Sequence, residues 1–224
     1  MALEVFAGDA APEIEYLFQQ QIQEADIVCT TKADIYPTPP QLPFPVDFHI
    51  SANPGVGLDE WLSEVLSGTR IAGAHILDVD YRQYADAEAA LGWLNIQASI
   101  CTDQPLSPAA FVGPLLEKLD ASLTAANITI SHLKLFDQTR NGYLVATIRT
   151  NGQEPNPQGD LIAESTSNHE LAINLRALGD AKSSLAVVER VLSELAGAVT
   201  TKHVRAFQPP PPKPEHRFTH TVTT

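Results

Sequence analysis

Apolar residues recur at helical spacing from Pro12 to Glu24, where Ile14, Leu17, Phe18 and Ile22 share one face, and this predicts an amphipathic helix. Behind it, Asp26-Ile27-Val28-Cys29-Thr30-Thr31 is a short β-branched run whose length suits a buried strand. The stretch from Tyr36 to Pro45 is so rich in proline that it can be neither helix nor central strand, so it reads as a surface connection. Val46 to Ile50 alternates like a second strand. After the turn Asn53-Pro54-Gly55-Val56-Gly57, residues Leu58, Trp61, Leu62, Val65 and Leu66 return to helical spacing, ending near Gly68. Helix, strand, loop, strand, loop, helix is a piece of an α/β layer.

The pattern changes after this point. Thr69 to Leu91 is rich in Asp and Ala, with a small helical segment at Tyr84 to Ala90, and serves as the junction. Gly92 to Thr102 then reads as a strand, and Ser107 to Ala126 as a long helix capped by Ser107 with Pro108 in its first position. Two alternating runs, Ile128 to Asp137 and Tyr143 to Arg149, flank the turn signal Asn141-Gly142 and predict a hairpin. A third run covers Leu171 to Arg176, followed by a helix from Ala181 to Ala196 and a strand from Val199 to Phe207. Strand, helix, three strands, helix and strand imply a two-layer α+β sandwich with both helices on one face. The expected organisation is therefore an α/β layer at 1–70, a junction at 71–91, an α+β domain at 92–207 and a Pro-rich tail at 208–224 that favours an extended polyproline arm.

Composition narrows the function classes. Fourteen Lys and Arg against 27 Asp and Glu leave a formal charge of -13, which opposes attraction to nucleic-acid backbones and anionic lipid. Neither nucleic acid nor membrane is expected as a partner. Cys29 and Cys101 are far apart in apolar runs, with neither a zinc spacing nor a disulfide framework, which fits a reducing cytoplasm. No segment reaches the length of a membrane span, and the N-terminus shows no export signal.

Two loops carry the candidate chemistry. Thr31-Lys32-Ala33-Asp34 follows the first strand and Ser51-Ala52-Asn53 follows the second, so both lie where open α/β sheets bind ligands, outside the carboxyl ends of the strands. The Asp34 carboxylate can accept two hydrogen bonds from the ring imino and exocyclic amino groups of guanine, an arrangement adenine cannot match. Lys32 can lay its stem and charge along the ring, the Ala52 N–H can reach the guanine carbonyl oxygen, and Ser51 can hold the loop in shape. A Lys-x-Asp triplet alone is common in loops; two loops of matching type behind successive strands make the case.

These residues resemble the CobW-like GTPase family. Glu24-Ala25-Asp26-Ile27-Val28 followed by Thr31-Lys32-Ala33-Asp34, then Ile50-Ser51-Ala52 with Gly55-Val56-Gly57-Leu58-Asp59-Glu60-Trp61, look like the second half of its GTPase domain. The run Tyr84-Ala85-Asp86-Ala87-Glu88-Ala89-Ala90-Leu91-Gly92-Trp93-Leu94-Asn95 resembles the family's junction, and Pro214-Glu215-His216-Arg217-Phe218 its C-terminal end. The resemblance implies a partial P-loop-type α/β layer and a role in metal delivery or metallocofactor assembly, with a client metalloprotein and a metal of unknown identity. It also exposes departures. The chain contains no Gly-x-x-x-x-Gly-Lys-Ser/Thr, and the magnesium-holding acidic residue and Cys-x-Cys-Cys motif of the family would lie upstream of Met1. The reading is thus a truncated GTPase that binds GTP weakly, or only when a P-loop half or a second copy complements it, with no catalytic and no metal-ligating residue assigned. The alternative is a non-enzymatic interaction module with a vestigial guanine site.

Other residues read as structural. His203, His216 and His220 form a weak metal hypothesis, while His49, His75, His132 and His169 are expected to be satisfied by hydrogen bonds. Trp61 and Trp93 read as packing anchors. Asp78 and Asp80 lack an acid/base partner.

Overall fold

The computed structural model describes residues 12–39, 41–70, 73 and 80–210. The chain is mixed α/β and divides into two compact units between Ala87 and Glu88. No helix among the described residues is long and apolar enough to cross a membrane.

The first unit contains helix α1 (Pro12–Glu24), strands β1 (Cys29–Thr30) and β2 (Phe48–His49), helix α2 (Leu58–Ser67) and most of α3 (Tyr81–Ala89). β1 and β2 pair in parallel, Cys29 opposite Phe48 and Thr30 opposite His49. Both strands are shorter than the runs Asp26 to Thr31 and Val46 to Ile50 suggest. Among the described residues each has a partner on one side only, so few of its backbone groups join a ladder, and β-branched composition cannot substitute for a neighbouring strand. An Arg70 strap reinforces the pair: its guanidinium reaches Asp47 at 2.8 Å, Glu64 at 3.1 Å and the Asp26 carbonyl at 3.0 Å, while Asp47 also accepts from the Val28 N–H at 2.8 Å. α2 starts at Gly57, whose φ of 70° places it in the left-handed region; a Cβ there would lie 2.8 Å from the His49 carbonyl oxygen. Only glycine lets the helix begin this close to the end of β2.

The second unit runs β3 (Leu91–Leu106), α4 (Pro108–Ala125), β4 (Thr129–Thr139), β5 (Gly142–Ile148), β6 (Gln158–Gly159), β7 (Thr166–Leu178), α5 (Ala181–Ser193) and β8 (Gly197–Phe207). Its sheet has the order β6-β5-β4-β7-β3-β8, with every neighbouring pair antiparallel. β3 and β4 are therefore parallel with β7 between them, and β7 and β8 are parallel with β3 between them. Two split β-α-β units interleave, and the β5–β6 extension widens the sheet beyond β4. The short β6 has no counterpart in the periodic pattern, since Gln158-Gly159 is held by pairing with Leu144 and Val145 rather than by its own residues.

Both helices cover one face. In α4, capped by the Ser107 hydroxyl accepting from the Ala110 N–H at 3.2 Å, residues Phe111, Val112, Leu115, Leu116, Leu119 and Leu123 turn inward. In α5, capped by Asp180 on the Ser183 N–H at 2.9 Å, Val187, Val188, Val191 and Leu192 do the same. They meet Leu94, Ile96 and Ile100 of β3, Leu133 and Leu135 of β4, and Ile173 and Leu175 of β7 in one core. Each such side chain withdrawn from water contributes roughly 1.5–3 kcal/mol. At the start of β3, Gly92 lets the turn into α5 close down, since a Cβ would stand 2.8 Å from the Gly179 carbonyl oxygen.

The alternation that buries Leu94 and Ile96 sends Trp93 and Asn95 to the opposite face, away from α4 and α5. Trp93 is thus not a core anchor: it is half-buried on the helix-free face, stacked on Phe207. Trp61 is half-buried on α2. His75, Asp78, His216, His220 and the stretch 211–224 lie outside the described residues.

Candidate functional site

The two strand-end loops stand side by side. The β1–β2 ladder extends past the strands through Ile50 N–H to Thr30 carbonyl at 2.9 Å and Ala33 N–H to Ile50 carbonyl at 3.1 Å, which brings residues 31–34 against 51–52. The Ser51 hydroxyl donates to Asp34 Oδ1, closing the link between the loops with a side-chain hydrogen bond. Ser51 is buried, and its own N–H is held by the Val56 carbonyl at 2.9 Å. Ala33 is also buried, so the loop is anchored at its third residue while Lys32 and Asp34 on either side are exposed.

This arrangement leaves acceptor capacity free on the Asp34 carboxylate. A carboxylate has about four lone-pair positions, of which the Ser51 hydroxyl takes one. The Ala52 N–H has no hydrogen-bond partner among the described residues, and the residue is exposed. Lys32 makes no ion pair among the described residues; its backbone sits at φ 65°, and its carbonyl accepts from the Ile35 and Tyr36 N–H groups. A side-chain residue in this region costs of order 1–3 kcal/mol, which the surrounding turn must offset. Thr31 is exposed with no side-chain hydrogen bond among the described residues. His49 clasps the Pro-rich connection to the site: Nε2 donates to the Tyr36 carbonyl at 2.6 Å, and Nδ1 accepts from the Thr30 hydroxyl at 2.7 Å. Near the ladder, burial first and then the Asp47 carboxylate push the Cys29 thiol up, so it is a poor nucleophile.

The two strand-end loops form an open ledge. Two cavities among the described residues lie elsewhere. One of about 410 Å³ is bordered by Pro12, Glu13, Tyr16, Asp80, Arg82, Gln83, Asp86 and Ala87, but Asp80 there is occupied in capping α3 through the Arg82 and Gln83 N–H groups. The other, about 370 Å³, lies on the helix-free face of the large sheet, lined by Trp93, Asn95, His132, Lys134, Asn174, Arg176, Arg205 and Phe207. Sequence reasoning missed this second place. Its signal is the phase of alternation in β3, β4, β7 and β8, which becomes a site only once the strand order is known.

The buried histidine pair fails on access, while the C-terminal metal hypothesis draws on His216 and His220, which lie outside the described residues. His169 and Asp137 form a fully buried pair at 2.8 Å, with His169 Nε2 donating to the Thr166 carbonyl at 3.1 Å and its ring against Phe111, so no substrate can reach it. His203 is exposed on β8, and no group of three or more His, Cys, Asp or Glu able to hold a metal occurs among the described residues. No protein-family model, curated protein or solved structure matches the chain.

Proposed function

We propose that the first unit is the guanine-reading part of a CobW-like GTP-binding protein acting in metal delivery or metallocofactor assembly, and that GTP is held only when a P-loop half completes the nucleotide site. The observation that carries this reading is the Ser51 to Asp34 hydrogen bond across two loops at the ends of parallel strands, beside the unpaired Ala52 N–H. A carboxylate fixed this way is oriented before the base arrives, which reduces the ordering cost of binding.

The need for a complement follows from charge and from exposed surface. Triphosphate requires backbone donors, a lysine and magnesium, and the chain holds no Gly-x-x-x-x-Gly-Lys-Ser/Thr to supply them. GTP hydrolysis by this chain alone is therefore not expected. In α2, Leu62, Val65 and Leu66 are exposed, Leu66 by 78%, which is an apolar stripe suited to a covering element. A P-loop polypeptide, or a second copy lying over the stripe, would shelter it.

The test is calorimetry in the presence of magnesium. The chain mixed with a separately expressed P-loop half of the same family is expected to bind GTP, and absence of heat from the assembled pair would overturn the reading. Asp34→Asn supplies a discriminating variant: its amide donates toward position 2 of the base, so preference should swing from guanosine to xanthosine triphosphate by about tenfold or more. A second reading, an interaction module with a vestigial base site, draws on the open ledge and on the self-contained core of the second unit. Under it, Asp34→Asn changes neither nucleotide preference nor capture of a client metalloprotein.

A further inference from the structure

The helix-free face of the six-stranded sheet carries two adjacent rows of side chains fixed by strand register. One row reads Phe207, Trp93, Arg176, His132 across β8, β3, β7 and β4; the next reads Arg205, Asn95, Asn174, Lys134 across the same strands. The first row is built for planar groups. The Arg176 guanidinium lies 3.9 Å from the centre of the Trp93 ring, and Trp93 stacks on Phe207 with centroids 6.0 Å apart. The second row has two amides at its centre and a long cation at each end, the Arg205 guanidinium lying 4.6 Å from the centre of the Phe207 ring.

Charge makes the face unusual in this molecule. The chain carries a formal charge of -13, yet Lys134, Arg149, Arg176 and Arg205 gather here, and none is ion-paired among the described residues. The nearest carboxylate on this face of β7 is Glu170, four residues or about 13 Å along the strand from Asn174, and it is already bound by Lys202 at 2.7 Å and by Ser99. The consequence is visible on His132, half-buried between β7, the end of β5 and its own strand. Its imidazole is held below the ordinary 6.5, first by burial and then by Arg176, Arg149 and Lys134. Unpaired cations repelling one another over a concave surface are a cost that an anion would relieve.

We propose that this groove binds a single nucleotide, with the phosphate over Asn95 and Asn174 between Arg205 and Lys134, and the base on the outer side of the Arg176–Trp93 stack. The dimensions agree. Rows two residues apart along a strand are about 6.6 Å from each other, comparable to the span of one sugar between phosphate and base. Lys134 and Arg205 stand about 14 Å apart across three strand spacings, which lets both long side chains reach one central anion. The groove, about 370 Å³, is within the range for one small ligand. A single nucleotide rather than a polymer is favoured because the overall negative charge repels a long phosphate backbone. Stacking on a guanidinium backed by an indole is indifferent to the base, so the site differs in kind from the loops proposed to select guanine at Asp34.

Fluorescence tests this directly, because the chain has two tryptophans and Trp61→Phe leaves Trp93 as sole reporter. AMP is the probe, since Asp34 cannot select adenine and the signal then bears on the groove alone. AMP at low salt is expected to change Trp93 emission saturably, with a dissociation constant on the order of 1 mM or tighter, and GMP to match it within about threefold. Lys134→Gln with Arg205→Gln should weaken AMP about tenfold or more. Asn174→Asp, an exposed substitution placing a carboxylate among the cations, should abolish the change while circular dichroism stays unaltered. No saturable change with AMP overturns the proposal, as does equal binding by inorganic phosphate alone. Much tighter binding of a ten-residue oligothymidylate or of polyglutamate would replace it with a polymer or peptide surface.

Discussion

Asp137 and His169 show how a single pair of residues can be essential to a fold without touching its chemistry. Both side chains are fully buried, and the Thr166 carbonyl can only accept, so His169 Nε2 donates to it while Nδ1 is hydrogen-bonded to Asp137 Oδ2 at 2.8 Å. The pair straddles β4 and β7 under Phe111 of α4. Replacing His169 by Ala leaves a carboxylate buried with no compensating partner, and such losses cost about 3–5 kcal/mol. Urea unfolding of His169→Ala should show that loss, whereas a change below about 1 kcal/mol would mean that water reaches Asp137 and the pair is not a buried tie. The histidine itself was legible as a hydrogen-bonded strand residue, but Asp137 was not. It sits 32 positions away, and only the register of β4 on β7 brings it into reach. Lys32, Asp34, Ser51 and Ala52 were legible for the opposite reason: each follows a short β-branched run closely, so local pattern alone sets them at strand ends. The cations Lys134, Arg176 and Arg205 look like ordinary outward strand residues in sequence, and it is the interleaved strand order that gathers them.

At the scale of elements, local signals were strongest where an element carries its own caps and buried stripe. α4 and α5 begin where Ser107 and Asp180 cap them. The hairpin shows a finer limit. Asn141-Gly142 marks the turn, yet the register pairs Thr139 with Gly142, so Arg140 and Asn141 make the connection and Gly142 opens β5. The Thr139 hydroxyl, receiving the Asn141 N–H and donating to the Gly142 carbonyl, fixes that choice, and a dipeptide signal does not contain it. Strands β1 and β2 fell short of their sequence runs because their hydrogen-bonding partners are few, and side-chain interactions tie them instead. Asp47 is held below its ordinary 3.8, mainly by hydrogen bonds from Arg70 and the Val28 N–H. Since the folded value is depressed, the contribution of Asp47 is present above 3.8 and is lost as pH falls through the lower folded value. Asp47→Asn should therefore destabilise the β1–β2 region at neutral pH and flatten its loss of order below pH 3.8, read from amide signals of Val28 and Thr30. An unchanged acid profile would show that the Arg70 strap carries no weight.

The two units of the molecule differ in how much they bury. The second encloses a continuous core running from Leu94 to Leu192. In the first, the buried apolar residues among those described are Phe18, Ala33, Ala85 and Ala87, while Leu62, Val65 and Leu66 of α2 lie open to solvent. Folding costs of order 1–2 kcal/mol of backbone entropy per residue, and a unit with so little burial has little to set against it. The sequence anticipated this imbalance only in outline, since the apolar stripe of α2 is plain in the spacing but whether anything covers it is not. Hydrogen exchange should resolve the difference. Amides of β3, β4 and β7 are expected to exchange only through global unfolding, while those of α2 and the β1–β2 ladder open with a free energy several kcal/mol smaller. Adding a P-loop half together with GTP and magnesium should raise protection in α2 and the residues around Ser51, because whatever binds the folded form alone stabilises it by mass action. Equal protection in both units before any addition would show that the first unit stands by itself, and the argument for a missing cover over Leu62, Val65 and Leu66 would then fail.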